Sequence, residues 1–164
     1  MSRVLLAALT LFAVLPHSAA FAQSSIQKIE VNLPFDDVEQ IVVAEMRDRN
    51  LNLVNTMDIR KGMENRGGAF RKFKIFQFCN LELGIRIYRD FPDYGAMQFC
   101  SLLVYEVAEG RTAVAATRQT WALQQLPNHR PGRDAIEAAR TLERLAKEIM
   151  DAVVEEAKSK AKAR

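Results

Sequence analysis

Three predicted strands between residues 73 and 118 constrain the fold of this chain more than any other stretch. The first, residues 73–80, is almost wholly apolar, and the second covers residues 98–107. A glycine-containing turn then leads into the third, residues 112–118, which predicts an antiparallel hairpin. Because the first of these strands is apolar along most of its length, we expect it to be central and covered on both faces. The two cysteines of the chain, Cys79 and Cys100, lie on the first two strands.

The residues before this stretch predict two more strands and a helix. Apolar and polar residues alternate over residues 24–33, which is typical of a strand with one solvated face. A helix is predicted from Asp36 or Asp37 to about Arg49, with Asn50 as a left-handed stop, followed by a strand over residues 51–59. Residues 60–72 predict a loop or a single helical turn, and residues 81–89 a short helix with Leu81, Ile85 and Tyr88 on its apolar face. These elements predict an α+β domain over residues 24–121, with an antiparallel-rich mixed sheet and two helices.

The C-terminal part predicts a linker over residues 122–133 and a long amphipathic helix within residues 134–164. At 1.5 Å per residue such a helix spans on the order of 40 Å, whereas a domain of this size is roughly 30 Å across. The helix is therefore expected to pack on the domain and overhang it, or to pack on a second copy. A homodimer contact through this helix and a frayed, solvated tail are the two alternatives.

The first 22 residues have the pattern of a cleaved secretory signal. Arg3 precedes an apolar run over residues 4–14, and Ala20, Phe21 and Ala22 form a small-x-small cleavage site. The apolar run is well short of the ~20 residues that a membrane-spanning helix needs. We therefore expect cleavage after Ala22, a periplasmic or secreted location and no membrane span; the alternative is a buried N-terminal helix.

Composition excludes several classes of function. The chain has 23 Lys and Arg and 20 Asp and Glu residues, a balance too even to indicate nucleic acid binding. Once His17 is removed with the signal, His129 is the single histidine, and its surroundings contain no nucleophile motif. The spacing of cysteine and histidine fits no zinc site, and neither a covalent haem motif nor a phosphate-binding glycine loop is present. We therefore expect no cofactor and lean towards a protein that is not an enzyme.

Cys79 and Cys100 form the one pair with possible chemistry. If their strands are neighbours, the two Cα atoms can lie within the ~5.5–6 Å that a disulfide requires, and export favours oxidation. The alternatives are a reactive or ligand-binding thiol pair and two buried, unpaired thiols. A helix start after Cys79 would lower its pKa, whereas burial beside Phe78 and Phe99 would raise it.

Three other residues are candidates for ligand binding: Asn80, Trp121 and His129. Asn80 follows Cys79 directly, and Trp121 lies past the hairpin, where it could line a cleft or close the end of the sheet. A weaker hypothesis is a carboxylate-rich or mixed metal site using Asp90, Asp93 or His129. No other metal-ligand pattern is present.

Several motifs occur in an order that resembles a known family. A strand is followed by PFDDVEQIVVAEMRDRNLNLV, a strand ending in FCN, a short helix, DFPDYG, and then FCSLLVYE and a hairpin. This order resembles the bacterial domain of unknown function 302 over about residues 28–118. The chain has Phe99-Cys100 where the family commonly has Pro-Cys, and the long C-terminal helix lies outside the shared region. The resemblance implies a compact α+β fold with an antiparallel-rich sheet and members that associate as dimers; it implies no established activity.

The function expected from the sequence is an exported, non-catalytic module that binds a small ligand or a periplasmic partner protein. This expectation rests on a well-formed domain without a familiar catalytic constellation. The alternative is a redox or sulfur-handling protein that uses Cys79 and Cys100.

Overall fold

Five strands and six helices make up the part of the chain that the computed structural model describes, residues 24–97, 100–125 and 130–163. The strands are β1 (Ile26–Val31), β2 (Asn52–Asp58), β3 (Phe73–Cys79), β4 (Ser101–Ala108) and β5 (Arg111–Thr117). The helices are α1 (Phe35–Asp48), α2 (Ile59–Glu64), α3 (Leu81–Tyr88), α4 (Tyr94–Met97), α5 (Gln119–Gln124) and α6 (Arg133–Lys162). The α+β class expected from the sequence is confirmed.

The strands form one sheet in the order β1-β5-β4-β3-β2, and every pairing in it is antiparallel. The sheet is therefore antiparallel throughout rather than mixed. The predicted β4–β5 hairpin is confirmed, and Gly110 supplies the positive φ of 69° that its turn requires.

One face of the sheet carries the core. Phe76, Leu102 and Val114 are buried there against apolar side chains of α1 and α6. On the opposite face Ile75 and Leu103, which pair across β3 and β4, are only partly buried. The expectation that β3 is covered on both faces is therefore wrong, because the helices that form the core cover one face.

Helix α1 begins after Pro34 and ends next to Asn50. Its first turn contains Asp36 and Asp37, which favour a helix N-terminus although neither side chain caps it. Asn50 has a φ of 55°, as predicted for the left-handed stop. The backbone N–H of the next residue, Leu51, then donates to the carbonyl of Met46 at 2.9 Å, and the chain turns into β2.

The described part of the domain before α6 contains five helices rather than the two expected. The short helices α2, α4 and α5 have four to six residues each. An apolar pattern with a period of 3.6 residues cannot be recognised in so few positions. The expected linker therefore begins inside α5 and leads to α6, with residues 126–129 outside the described range.

Helix α6 packs along its own domain. Its 30 residues span about 45 Å, and its buried side chains run from Ala135 to Val153. Beyond them, Lys160 contacts Asp37 of α1 with its ammonium group 2.9 Å from the carboxylate. The apolar stripe of α6 is thus buried against the rest of the same chain.

None of the helices within the described ranges is both long enough and apolar enough to cross a bilayer. The expected signal over residues 1–22, its cleavage after Ala22, and His129 all lie outside those ranges.

Candidate functional site

A cavity of about 390 Å³ lies where β3 ends and α3 begins. Residues of the sheet, of α3 and α4 and of α6 form its walls, and we call it the thiol cavity. The lining residues are Val54, Phe78, Cys79, Asn80, Gly84, Ile87, Tyr88, Tyr94, Gly95, Cys100 and Leu142. Both cysteines and Asn80, one of the three candidate ligand residues, therefore line the same cavity.

The pairing of β3 with β4 brings the two cysteines to this cavity. Gln77 is paired with Ser101, and the backbone N–H of Phe78 donates to the carbonyl of Cys100 at 2.9 Å. Cys79 is the last residue of β3, at the point where the chain leaves the sheet for α3. The adjoining strands expected from the sequence are therefore present.

Asn80 is fixed as the N-cap of α3. Its side-chain oxygen accepts a hydrogen bond from the N–H of Leu83 at 3.0 Å, and its amide nitrogen donates to the carbonyl of Asn50 at 3.4 Å. These two bonds tie the start of α3 to the end of α1. Asn80 therefore forms a rigid polar section of the cavity wall.

Both cysteines are free thiols, so the bridge expected from the sequence is not formed here. Their exposure differs, since Cys100 is buried and Cys79 is half-buried. Burial, together with the nearby Cys79, raises the pKa of Cys100 to about 12. Cys100 is therefore an uncharged thiol at neutral pH.

Two tyrosines form the aromatic wall of the cavity. The Tyr88 ring lies between Gly84 and Gly95, where a Cβ atom on either glycine would approach ring carbons at 3.2 Å and 3.5 Å respectively. Its centroid is 6.0 Å from that of Tyr94. Burial raises the pKa of both tyrosines, and Cys100 adds to the effect. Both phenols are therefore neutral at physiological pH.

The buried side chain of Gln119 joins the tyrosine wall to Cys100. The Tyr94 hydroxyl donates to Oε1 of Gln119, and Sγ of Cys100 lies 4.0 Å from the same oxygen. The amide nitrogen of Gln119 donates to the carbonyl of Thr117 at 3.2 Å. Sequence reasoning missed Gln119 because a glutamine in a polar stretch after a strand carries no distinctive signal.

The other candidate residues lie elsewhere. Trp121 is on α5, where it is half-buried against the core, and it does not line the thiol cavity. The carboxylate of Asp90 is 3.3 Å from the guanidinium of Arg89, and Asp93 is exposed. The described residues contain no group of three potential metal ligands, and His129 lies outside them.

A second cavity of about 310 Å³ is lined in part by Thr120, Arg140 and Glu143. Burial alone would raise the pKa of Glu143, but hydrogen bonds from Thr120 and Arg118 outweigh it and lower that pKa. The carboxylate is thus already held by Arg118 at 2.7 Å and by the Thr120 hydroxyl at 2.7 Å. This network joins α5 to α6, and it already occupies the one acidic side chain among the three named lining residues. We therefore place the candidate site in the thiol cavity.

Comparison with known proteins identifies the family. A crystal structure of the uncharacterized conserved protein DUF302 from Bacillus stearothermophilus has the same fold, with a TM-score of 0.69 at 14% identity over 79% of this chain and 98% of that chain. An uncharacterized protein of Aquifex aeolicus (strain VF5) is 27% identical over 88 residues, which are 54% of this chain and 55% of that relative. The chain therefore spans about half the length of that relative.

The family model described as "Domain of unknown function DUF302" matches residues 27–149. The shared region is longer than residues 28–118, the range that the motifs indicated, and it includes the first half of α6. The expectation that the long helix lies outside the shared region is therefore wrong. Since the matched region covers most of the chain, this protein belongs to the DUF302 family.

Proposed function

We propose that this chain is a non-catalytic binding module that holds a small, uncharged and largely apolar ligand in the thiol cavity. The observation that carries the proposal is the absence of Asp, Glu, Lys and Arg from the residues that line this cavity in the described part of the chain. Ligand pockets of this kind are mostly apolar with a few placed polar groups. A charged ligand would lose its hydration there without gaining a counter-charge.

The polar groups of the cavity are few and suit orientation rather than catalysis. Asn80 is held by two hydrogen bonds, and the Tyr94 hydroxyl already donates its hydrogen bond to Gln119. The raised pKa of Cys100 keeps its thiol protonated, so it is a poor nucleophile at neutral pH. These groups offer contacts to a bound molecule but supply neither an acid–base pair nor an activated nucleophile.

Fluorescence of an uncharged apolar probe, N-phenyl-1-naphthylamine, tests the proposal. We expect saturable binding at one site per chain, and we expect Val54→Trp to weaken it because Val54 is both exposed and part of the cavity wall. Val43→Trp is the matched control, since Val43 is an exposed valine on α1 that does not line the cavity. Equal binding by both variants would contradict the proposal.

The proposed setting is the periplasm or the cell exterior, with the first 22 residues removed as a signal. The support is the charged start, the 11-residue apolar run and the small-x-small site that ends at Ala22. The intact mass of the protein recovered from its native cell tests this: a chain that begins at Gln23 is expected, and a chain that retains Met1 to Ala22 contradicts it.

A thiol-based redox function is the second candidate, and the unequal exposure of the two cysteines favours it. An accessible Cys79 could attack a disulfide-bonded partner and form a mixed disulfide with loss of one partner thiolate. Cys100 would then pass its proton to that thiolate, attack the Cys79 sulfur and release the second partner thiolate, which takes up the proton that Cys79 lost. The chain would thereby lose two electrons and two protons to the partner's disulfide.

Serine substitution separates the two candidates. If Cys79→Ser and Cys100→Ser each abolish a thiol–disulfide exchange activity while the protein stays folded, the redox function is supported. If the wild-type protein binds the naphthylamine probe and exchanges no disulfide, only the binding function stands. Free-thiol counts on native and unfolded protein give the state of the pair directly.

A homodimer through α6 stays a prediction. Because the apolar stripe of α6 is buried within the chain, such a dimer would have to use the helix face that carries charged residues such as Arg144, Lys147 and Asp151. Light scattering across a range of protein concentrations measures whether the dimer forms.

A further inference from the structure

The second cavity, between α5 and α6, differs from the thiol cavity because charged side chains line it. Its volume is about 310 Å³, and we call it the arginine cavity. Helix α6 contributes Ile136, Arg140 and Glu143, which are spaced three or four residues apart and therefore share one side of the helix. The remaining described lining residues are Thr120, Leu123, Gln124 and Pro131.

The carboxylate of Glu143 is already neutralised within the chain. The Arg118 guanidinium donates to its Oε1 at 2.7 Å, and the Thr120 hydroxyl donates to its Oε2 at 2.7 Å. The Glu143 side chain is only 13% exposed, so salt screens this ion pair weakly. Since the charges of Arg118 and Glu143 cancel, Arg140 carries the net charge of the cavity wall.

Arg140 is a cation without a counter-charge. It stands three residues before Glu143, a spacing at which side chains of a helix can form an ion pair. Within the described ranges, however, neither a carboxylate nor a hydrogen-bond acceptor contacts its guanidinium. The donors of Arg140 are therefore available to a molecule in the cavity.

The same side of α6 has an excess of positive charge around the cavity. Asp134 and Glu137 both lie near Arg86, whose guanidinium is 2.6 Å and 3.5 Å from the two carboxylates. Arg133 stands two helical turns before Arg140, and no carboxylate in the described part of the chain pairs with it. An anion that approaches this cavity is therefore attracted to it.

The rest of the wall suits an apolar group. Leu123 is 2% exposed, and Pro131 and Ile136 are half-buried. Pockets for small ligands have volumes of roughly 300–1,000 Å³, so this cavity suits a small molecule. The planar guanidinium of arginine matches the two oxygens of a carboxylate, and one uncompensated cation matches one negative charge.

We propose that the arginine cavity is a second binding site, which takes a small aliphatic monocarboxylate. The carboxylate of the ligand pairs with the guanidinium of Arg140, and its hydrocarbon chain lies against Leu123 and Ile136. The inference goes beyond the proposed function, because it concerns another cavity and a ligand that carries a charge.

Titration of the isotope-labelled full chain with hexanoate, followed by nuclear magnetic resonance, tests this inference. We expect saturable shifts of the backbone signals of Thr120 and Arg140, and no shift at Gly84 in the thiol cavity. Arg140→Gln should weaken binding by roughly tenfold or more, since a hydrogen bond between charged groups is lost. Arg144→Gln is the matched control, because Arg144 is exposed on α6, pairs with Glu148 and does not line the cavity.

Hexanamide, which has the same chain but no charge, is expected to bind far more weakly than hexanoate. The inference is overturned if hexanoate causes no saturable shifts, if hexanamide binds equally well, or if Arg140→Gln and Arg144→Gln weaken binding equally. Fluorescence of the naphthylamine probe in saturating hexanoate keeps the two sites apart. Unchanged probe binding is expected, whereas displacement of the probe would place hexanoate in the thiol cavity and overturn the inference. Failure of the probe to bind at all would count against the proposed function alone.

Discussion

Sγ of Cys100 and Oε1 of Gln119 lie 4.0 Å apart in the buried interior, and that same oxygen accepts the hydrogen bond of the Tyr94 hydroxyl. The Gln119 side chain on α5 thus contacts both Tyr94 of α4 and Cys100, the residue before β4. A buried hydroxyl without an acceptor is costly, so this glutamine sets the position of the tyrosine wall. The arrangement ties Tyr94 and Cys100, two residues that line the thiol cavity, to α5.

Replacing Gln119 with Met should therefore destabilise the protein by about 1–3 kcal/mol, because the Tyr94 hydroxyl would lose its acceptor in a buried site. Urea unfolding measures the change in the free energy of unfolding. Gln124→Met is the control, since Gln124 is exposed on the same helix. In the Tyr94→Phe background the effect of Gln119→Met should shrink; an undiminished effect would show that the hydrogen bond is not its cause.

The sheet and α1 could be predicted from the sequence because their apolar residues follow a regular pattern over many positions. The alternation over β1 and the apolar run of β3 are long enough to read. Helix α3 shows where this reasoning fails. Leu81 and Ile85 have the spacing of a core face, but so do Leu83 and Ile87, and eight residues cannot decide between them. Packing of α3 against α6 buries the second pair.

Only part of the candidate site could be predicted from the sequence. Cys79, Asn80 and Cys100 are chemically distinctive, and the order of the strands brings them to one cavity. Tyr88 and Tyr94 look like ordinary core aromatics in the sequence. Their role in the wall depends on the Tyr88 ring fitting between Gly84 of its own helix and Gly95 of α4, and the contact with α4 is tertiary. Tertiary contacts of this kind leave no periodic signal.

The raised pKa of Cys100 predicts a loss of stability in alkali. Burial and the neighbouring Cys79 raise this pKa from its ordinary 9.0 to about 12, so the unfolded chain releases the proton first. The contribution of the Cys100 thiol to the free energy of unfolding is nearly constant below pH 9. It is lost as the pH rises towards 12, by about 2 kcal/mol between pH 9 and 11. Urea unfolding of the wild type and of Cys100→Ala should diverge across this range. The raised pKa of Tyr94 acts in both proteins, so parallel curves would contradict the prediction.

The left-handed backbone of Asn50 predicts a specific order among substitutions. At a φ of 55° a side chain with a Cβ atom meets the following carbonyl, which costs about 1–2 kcal/mol for most residues but little for Gly or Asn. Asn50→Ala should lower the free energy of unfolding by about 1 kcal/mol, while Asn50→Gly should leave it nearly unchanged. Asn65→Ala is the control, because Asn65 ends α2 with an ordinary φ of −62°. Equal losses for Asn50→Ala and Asn65→Ala would refute a backbone cause.

Burial of Ile149 predicts that α6 contributes to the stability of the single chain. Ile149 lies in the core and is fully buried without a second copy, so Ile149→Ala should cost about 2–4 kcal/mol. Lys147→Ala, at an exposed position on the same helix, should cost well under 1 kcal/mol because an exposed ion pair contributes little. If the apolar stripe instead packed on a partner subunit, stability would depend on protein concentration. Unfolding at protein concentrations a hundredfold apart therefore decides the matter, and a midpoint that rises with concentration in the wild type but not in Ile149→Ala would contradict packing within one chain.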